Sequence, residues 1–197
     1  MPDFLPGDIG LCAPNGSGDI PGQIIVAAEV DPDKCPRWAC HAWICDSTTT
    51  LIEAAVRVQQ CDISKYTSTG SQPSLVLRVR SLTDEQRLDA ADRARTLLTQ
   101  SYGFGDILAD GADSVLSWFA RRDVVVFRRW APYRTERDCS VLVAKCLYDA
   151  AGWAFCRLPT QAVEPSNIWC DYFERPGEYQ VVFCSDQLHR YLPAAGD

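Results

Sequence analysis

Up to Arg80 the chain runs in short apolar pieces separated by turn-forming residues, a rhythm that predicts strands. Gly7 to Cys12 follows a proline and stops before the turn-rich A-P-N-G-S-G. His41 to Cys45 (H-A-W-I-C) is a compact apolar run, and Thr49 to Ala55 follows it across a polar turn. Val56 to Cys61 and Leu75 to Arg80 alternate apolar with polar residues, as half-buried strands do. Then the period changes. Thr83 with Gln86 three residues on makes a capping-box pattern, and Leu88, Ala91, Ala94, Leu97 and Leu98 recur at helical spacing until Ser101. A weaker helix is predicted over Asp106 to Arg121 and an extended piece over Val124 to Phe127. Cys139 to Ala151 is the best-defined helix: Leu142, Val143, Cys146, Leu147 and Ala150 form one stripe, and Gly152 sits where a C-cap glycine belongs. Tyr179 to Cys184 is a last strand. Strands with one strongly buried helix predict an α+β fold, an antiparallel sheet or partial barrel packed against that helix.

With 197 residues, 47% of them apolar and 23% charged, the chain has material for one domain with a sizeable core. The expected extent is a single domain over 1–197, its core about 6–184. A net charge of −7 argues against a nucleic-acid partner, which needs a basic face to displace phosphate counterions. Arg121, Arg122, Arg128 and Arg129 form a local basic patch that reads as a solvated face. No basic n-region with an apolar h-region opens the chain, and no apolar run approaches the length of a membrane span, so a cytoplasmic location is expected, with a phage or virion origin left open. Ten cysteines in a chain that can build a core and carries no export signal read mostly as reduced, buried, small hydrophobes, with few or no disulfides.

Chemistry concentrates at Cys139. It opens a helix, where the first-turn N–H groups and the positive end of the dipole favour a thiolate and can also hold an oxyanion. Such a thiol needs a base, and the base needs an orienting group. Only two histidines exist; His189 lies in the polar stretch D-Q-L-H-R-Y, which leaves His41. Taken alone, a histidine in an apolar strand reads as a satisfied core residue, and Cys139 is what changes that reading. Glu53, in L-I-E-A, is a charge where a strand is normally uncharged, and antiparallel pairing across the S-T-T-T turn would bring it to the face of His41.

The segment D-C-S-V-L-V, continuing as A-K-C-L-Y-D-A-A-G, resembles the nucleophile motif and helix of NlpC-type cysteine peptidases. With His before Cys, the order matches the circularly permuted, papain-like branch of that superfamily and its YiiX-like group, alongside a poxvirus relative and the lecithin:retinol acyltransferases. The likeness runs through Gly7-Asp8-Ile9, His41 to Ile44, Ile52-Glu53-Ala54, Leu77-Arg78, Tyr102-Gly103-Phe104, Cys139-Ser140 and Pro165-Ser166-Asn167-Ile168. It implies Cys139 as nucleophile, His41 as general base, Glu53 as orienting carboxylate, and Tyr102 and Ser140 lining the site near the oxyanion. It implies no cofactor and no metal. The substrate would be a peptide, a peptidoglycan fragment or an acyl-lipid, cleaved at an amide or ester through an acyl-enzyme. Val141 stands where the family has a small residue, which narrows the pocket. The insertion over 105–137 and the C-terminal tail have no counterpart.

Two rivals were weighed. Cys35, Cys40, His41 and Cys45 cluster, but their spacing is not that of a zinc knuckle, and strand neighbours Cys40 and His41 would face opposite ways. A catalytically silent binding module, or a lipid acyl hydrolase or acyltransferase of the same fold, is the other alternative.

Overall fold

A computed structural model describes residues 2–15, 23, 38–55, 57–99 and 139–193. Its strands are β1 (Ile9–Cys12), β2 (His41–Cys45), β3 (Thr50–Ala54), β4 (Val58–Asp62), β5 (Ser74–Val79) and β6 (Tyr179–Cys184). Its helices are α1 (Ser64–Thr67), α2 (Asp84–Thr96), α3 (Cys139–Ala151) and α4 (Pro165–Glu174). The strands form one six-stranded sheet in the order β4-β3-β2-β1-β5-β6, and every neighbouring pair is antiparallel. This is the expected α+β architecture with an antiparallel sheet. The expected helix over Asp106 to Arg121, the extended piece over Val124 to Phe127, and Tyr102 lie outside the described residues.

Side chains alternate across a strand, so register decides which face each residue serves. Ile9, Leu11, Ala42, Ile44, Ile52, Leu75 and Leu77 point to one face and join Ala90 and Ala94 of α2 and Leu142, Val143, Cys146 and Leu147 of α3 in the larger core. The opposite face carries a smaller core of Cys12, Trp43, Cys45, Leu51 and Val76, closed by Phe4, Ile63 and Tyr66. Both faces of the sheet centre are therefore buried.

Local chemistry sets the ends of the elements. Thr83 caps α2, its hydroxyl accepting from the Gln86 N–H while the Gln86 side chain accepts from the Thr83 N–H, as the capping-box pattern predicts. The helix stops at Thr96 rather than Ser101, because Thr99 turns to a φ of 72° and gives its N–H to the Val58 carbonyl of β4. Gly152 ends α3 at a φ of +69°, its N–H bonded to the Tyr148 carbonyl. Helix α4 was not expected from the sequence. Pro165 at its first turn and the Glu164 N–H donated to Asn167 Oδ1 are its start signal.

The Gly-Asp-Ile segment before and within β1 has a structural reason for each residue type. Gly7 has a φ of +82°, and a Cβ there would lie 2.9 Å from the Arg87 backbone. Asp8 is fully buried; its two oxygens take Arg78 Nε and Nη2, each at 2.8 Å, and Oδ2 also accepts the Leu5 N–H. Gly10 lies under the Trp43 indole, and a Cβ there would stand 1.9 Å from the ring. Strand β1 thus sits at the sheet centre, pinned by an ion pair at its entrance and a close ring contact at its middle.

Among the described cysteines, eight are free thiols and Cys170 of α4 is disulfide-bonded. Among the described residues, no helix is long and apolar enough to cross a membrane.

Candidate active site

Strand β2 begins at His41 and pairs with β3 so that Trp43 stands opposite Glu53. Residues two apart share a face, so His41 and Glu53 are diagonal neighbours on the smaller-core side. The pairing expected from the S-T-T-T turn is the one found. The His41 Nε2 is 3.0 Å from Glu53 Oε2. The imidazole also lies beside Cys139, the first residue of α3, whose sulfur favours the charged ring. Helix α3 lies against β2 and β3, which carries the sulfur to the open end of β2.

Cys139 is 5% exposed and Glu53 is fully buried, while the His41 side chain keeps 18% of its surface open. Reagents therefore meet this constellation from the imidazole side. Ser140 is also buried, and its hydroxyl donates to the Val163 carbonyl at 2.7 Å. That bond ties the first turn of α3 to the segment leading into α4, so the Ser140 hydroxyl anchors the helix start. Val141 is buried. His189 is exposed, as its polar surroundings predict.

Glu53 is the most heavily bonded side chain of the site. Its Oε2 takes His41 and the Tyr66 hydroxyl, the latter at 2.5 Å. Its Oε1 takes Lys65 Nζ at 2.5 Å, Gln59 Nε2 at 2.8 Å and the Cys61 thiol at 3.2 Å. Burial alone would favour the protonated acid, but His41, Lys65 and Tyr66 overcome it and hold the carboxyl well below the usual carboxylate range. The sequence reading did not find Gln59, Cys61, Lys65 or Tyr66. The signal was present in β4, whose register sets Gln59 opposite Glu53, and in the tight turn that follows it.

Burial likewise works against the charged imidazole of His41. The Cys139 sulfur and then Glu53 outweigh it, and the imidazole is raised to about 10. A histidine that binds its proton more tightly folded than unfolded stabilises the fold fully below about 6.5, and that contribution disappears as pH rises through about 10. The stability difference between the wild type and His41→Gln should therefore shrink as urea unfolding is followed from about pH 7 to about pH 10. A difference that stays level across that range would show that His41 is not held protonated.

Of the clustered cysteines that could suggest a zinc site, Cys40 donates its thiol to the Cys12 carbonyl at 3.4 Å and Cys45 lies in the smaller core. Cys35 lies outside the described residues. Among the described residues, no group of three or more His, Cys, Asp or Glu stands together as a metal site would require.

With this geometry in view, the fold has a solved counterpart. The chain is similar to the crystal structure of metalloprotein yiiX from Escherichia coli O157:H7, DUF1105, with a TM-score of 0.57 and 16% sequence identity. The match covers 93% of this chain and 98% of that one. At that identity the likeness establishes a shared fold, and "metalloprotein" describes the yiiX protein. No protein-family model matches the chain, and no curated protein does.

Proposed function

We propose that this protein is a cysteine hydrolase acting on an amide or ester bond, with Cys139 as nucleophile, His41 as base and Glu53 as the group that orients the imidazole. The observation that carries this reading is a histidine bonded to a buried carboxylate and neighboured by a cysteine at a helix start. The yiiX-like fold is consistent with the resemblance to permuted NlpC-type peptidases.

Each group then has one task. The Cys139 proton passes to His41, and the sulfur attacks the carbonyl carbon as the C=O electron pair moves to oxygen. The N-terminal N–H groups of α3 are the donors placed to receive that oxyanion. As the tetrahedral centre collapses, the imidazolium hands its proton to the departing amine or alcohol, leaving a thioester on Cys139. Water, deprotonated by the now neutral His41, attacks the thioester carbon, and collapse of the second tetrahedral centre releases the acid and the thiol. Glu53 keeps Nε2 occupied throughout and stabilises the positive ring. A peptide, a peptidoglycan fragment and an acyl-lipid all offer a suitable carbonyl, and the peptide-type substrate is the primary proposal.

Reactivity toward iodoacetamide tests the nucleophile. Burial pushes the Cys12 and Cys45 thiols well above the ordinary range, and burial leads in raising Cys61, Cys156 and Cys184 to about 11. These five thiols should react slowly at neutral pH. Cys139 should be alkylated at least about tenfold faster than any of them, and His41→Ala should remove most of that advantage. Even labelling across the cysteines, unchanged by His41→Ala, would overturn the assignment.

A further inference from the structure

The donors around Glu53 exceed what is needed to hold a carboxylate still. Lys65 and Gln59 on Oε1 already fix its orientation, yet Tyr66 places a further hydroxyl on Oε2, the oxygen that faces His41. Tyr66 is itself locked. It is buried, its ring stacks on Trp43 with centroids 5.5 Å apart and planes 15° apart, and it lies 6.1 Å from the His41 ring. Its hydroxyl proton has no reason to leave, since burial and nearby negative groups raise the phenol far above its ordinary value.

We propose that Tyr66 and Lys65 are positioning residues that restrain the basicity of His41, by drawing charge out of the Glu53 carboxylate through which they act. An undivided carboxylate buried against an imidazole would hold the ring proton so tightly that it could not be delivered to a leaving group. Sharing Oε2 with a phenol and Oε1 with an ammonium weakens that hold while keeping the geometry. Among the described residues, the other titratable groups near the imidazole are Cys139 of α3 and Cys12 of β1, whose Cα is paired with that of His41. Cys61 of β4 reaches Glu53 only as a neutral thiol. Tyr66 and Lys65 thus act on His41 through Glu53, and replacing either leaves the ring's own partner residue in place.

The proposal deepens the hydrolase reading and rests on it for its catalytic meaning, but its test does not depend on turnover. The chain has two histidines, so 15N-histidine NMR follows His41 with the exposed His189 as an internal control. In the full-length protein, Tyr66→Phe should move the His41 midpoint upward by about half a unit to one unit, and Lys65→Met should move it the same way. His189 should not move. Lys65 keeps 45% of its side chain exposed, so that variant tests the idea even if loss of the buried Tyr66 hydroxyl impairs folding. A midpoint that stays put or falls in a folded variant overturns the proposal. If the midpoints rise as expected while Cys139 labels no faster than the other cysteines, the hydrolase reading fails and the charge-sharing role stands.

Discussion

Replacing His41 with alanine is expected to slow acylation of Cys139 by p-nitrophenyl acetate by about 10²–10⁴-fold, the range that a positioned general base supplies. The expectation follows from placement: the imidazole neighbours the sulfur, and the chain's other histidine, His189, lies exposed in the C-terminal segment. Intact-mass detection of the acyl-enzyme under single-turnover conditions gives the rate without knowledge of the natural substrate. Cys139→Ser should show no thioester at all. Glu53→Gln should slow acylation less than His41→Ala does, because the ring keeps an Oε partner but loses the charge that stabilises it when protonated. An equal acylation rate in wild type and His41→Ala would leave the fold without its proposed chemistry.

The largest expected effect on stability belongs to the ion pair at the entrance to β1. Arg78→Met leaves the Asp8 carboxylate fully buried with, among the described residues, only the Leu5 N–H as partner, and should cost about 3–5 kcal/mol. Asp8→Leu combined with Arg78→Met removes both charges and should recover a large part of that loss, since well-packed apolar replacements of buried pairs are often near neutral. Urea unfolding measures both, read as midpoint shifts at constant slope. A single variant within about 0.5 kcal/mol of wild type would show that Asp8 is hydrated or neutral in the folded chain.

Much of this was legible before any coordinates. The H-A-W-I-C and L-I-E-A runs predicted paired strands, and the register that sets Trp43 against Glu53 puts His41 and Glu53 on one face. The capping box at Thr83 and the glycine at 152 marked helix ends by local chemistry, which is why those ends were found. The distal end of α2 was missed because a tertiary bond decides it: Thr99 is captured by Val58, and no helical periodicity reports that. Tyr66, Lys65 and Gln59 escaped for a related reason. They occupy β4 and the single turn after it, where a lysine and a glutamine read as solvent-facing residues unless the buried charge opposite them is already known. Helix α4 was overlooked although Pro165 and Asn167 mark its start, because the segment had been read as a short motif and not as an element.

The central place of β1 has a consequence for the order of events on the ribosome. Strand β1 precedes both strands that flank it, β2 and β5, and the buried Asp8 at its entrance waits for its partner Arg78 until β5 has emerged. The sheet cannot close around it until β5 is made, and the nascent chain carries His41 and Glu53 long before Cys139. Cys139 arrives on a helix that must pack against strands already made. Cys139 therefore joins His41 and Glu53 only after α3 has been made, so chains that stop before it carry the carboxylate and imidazole without the thiol.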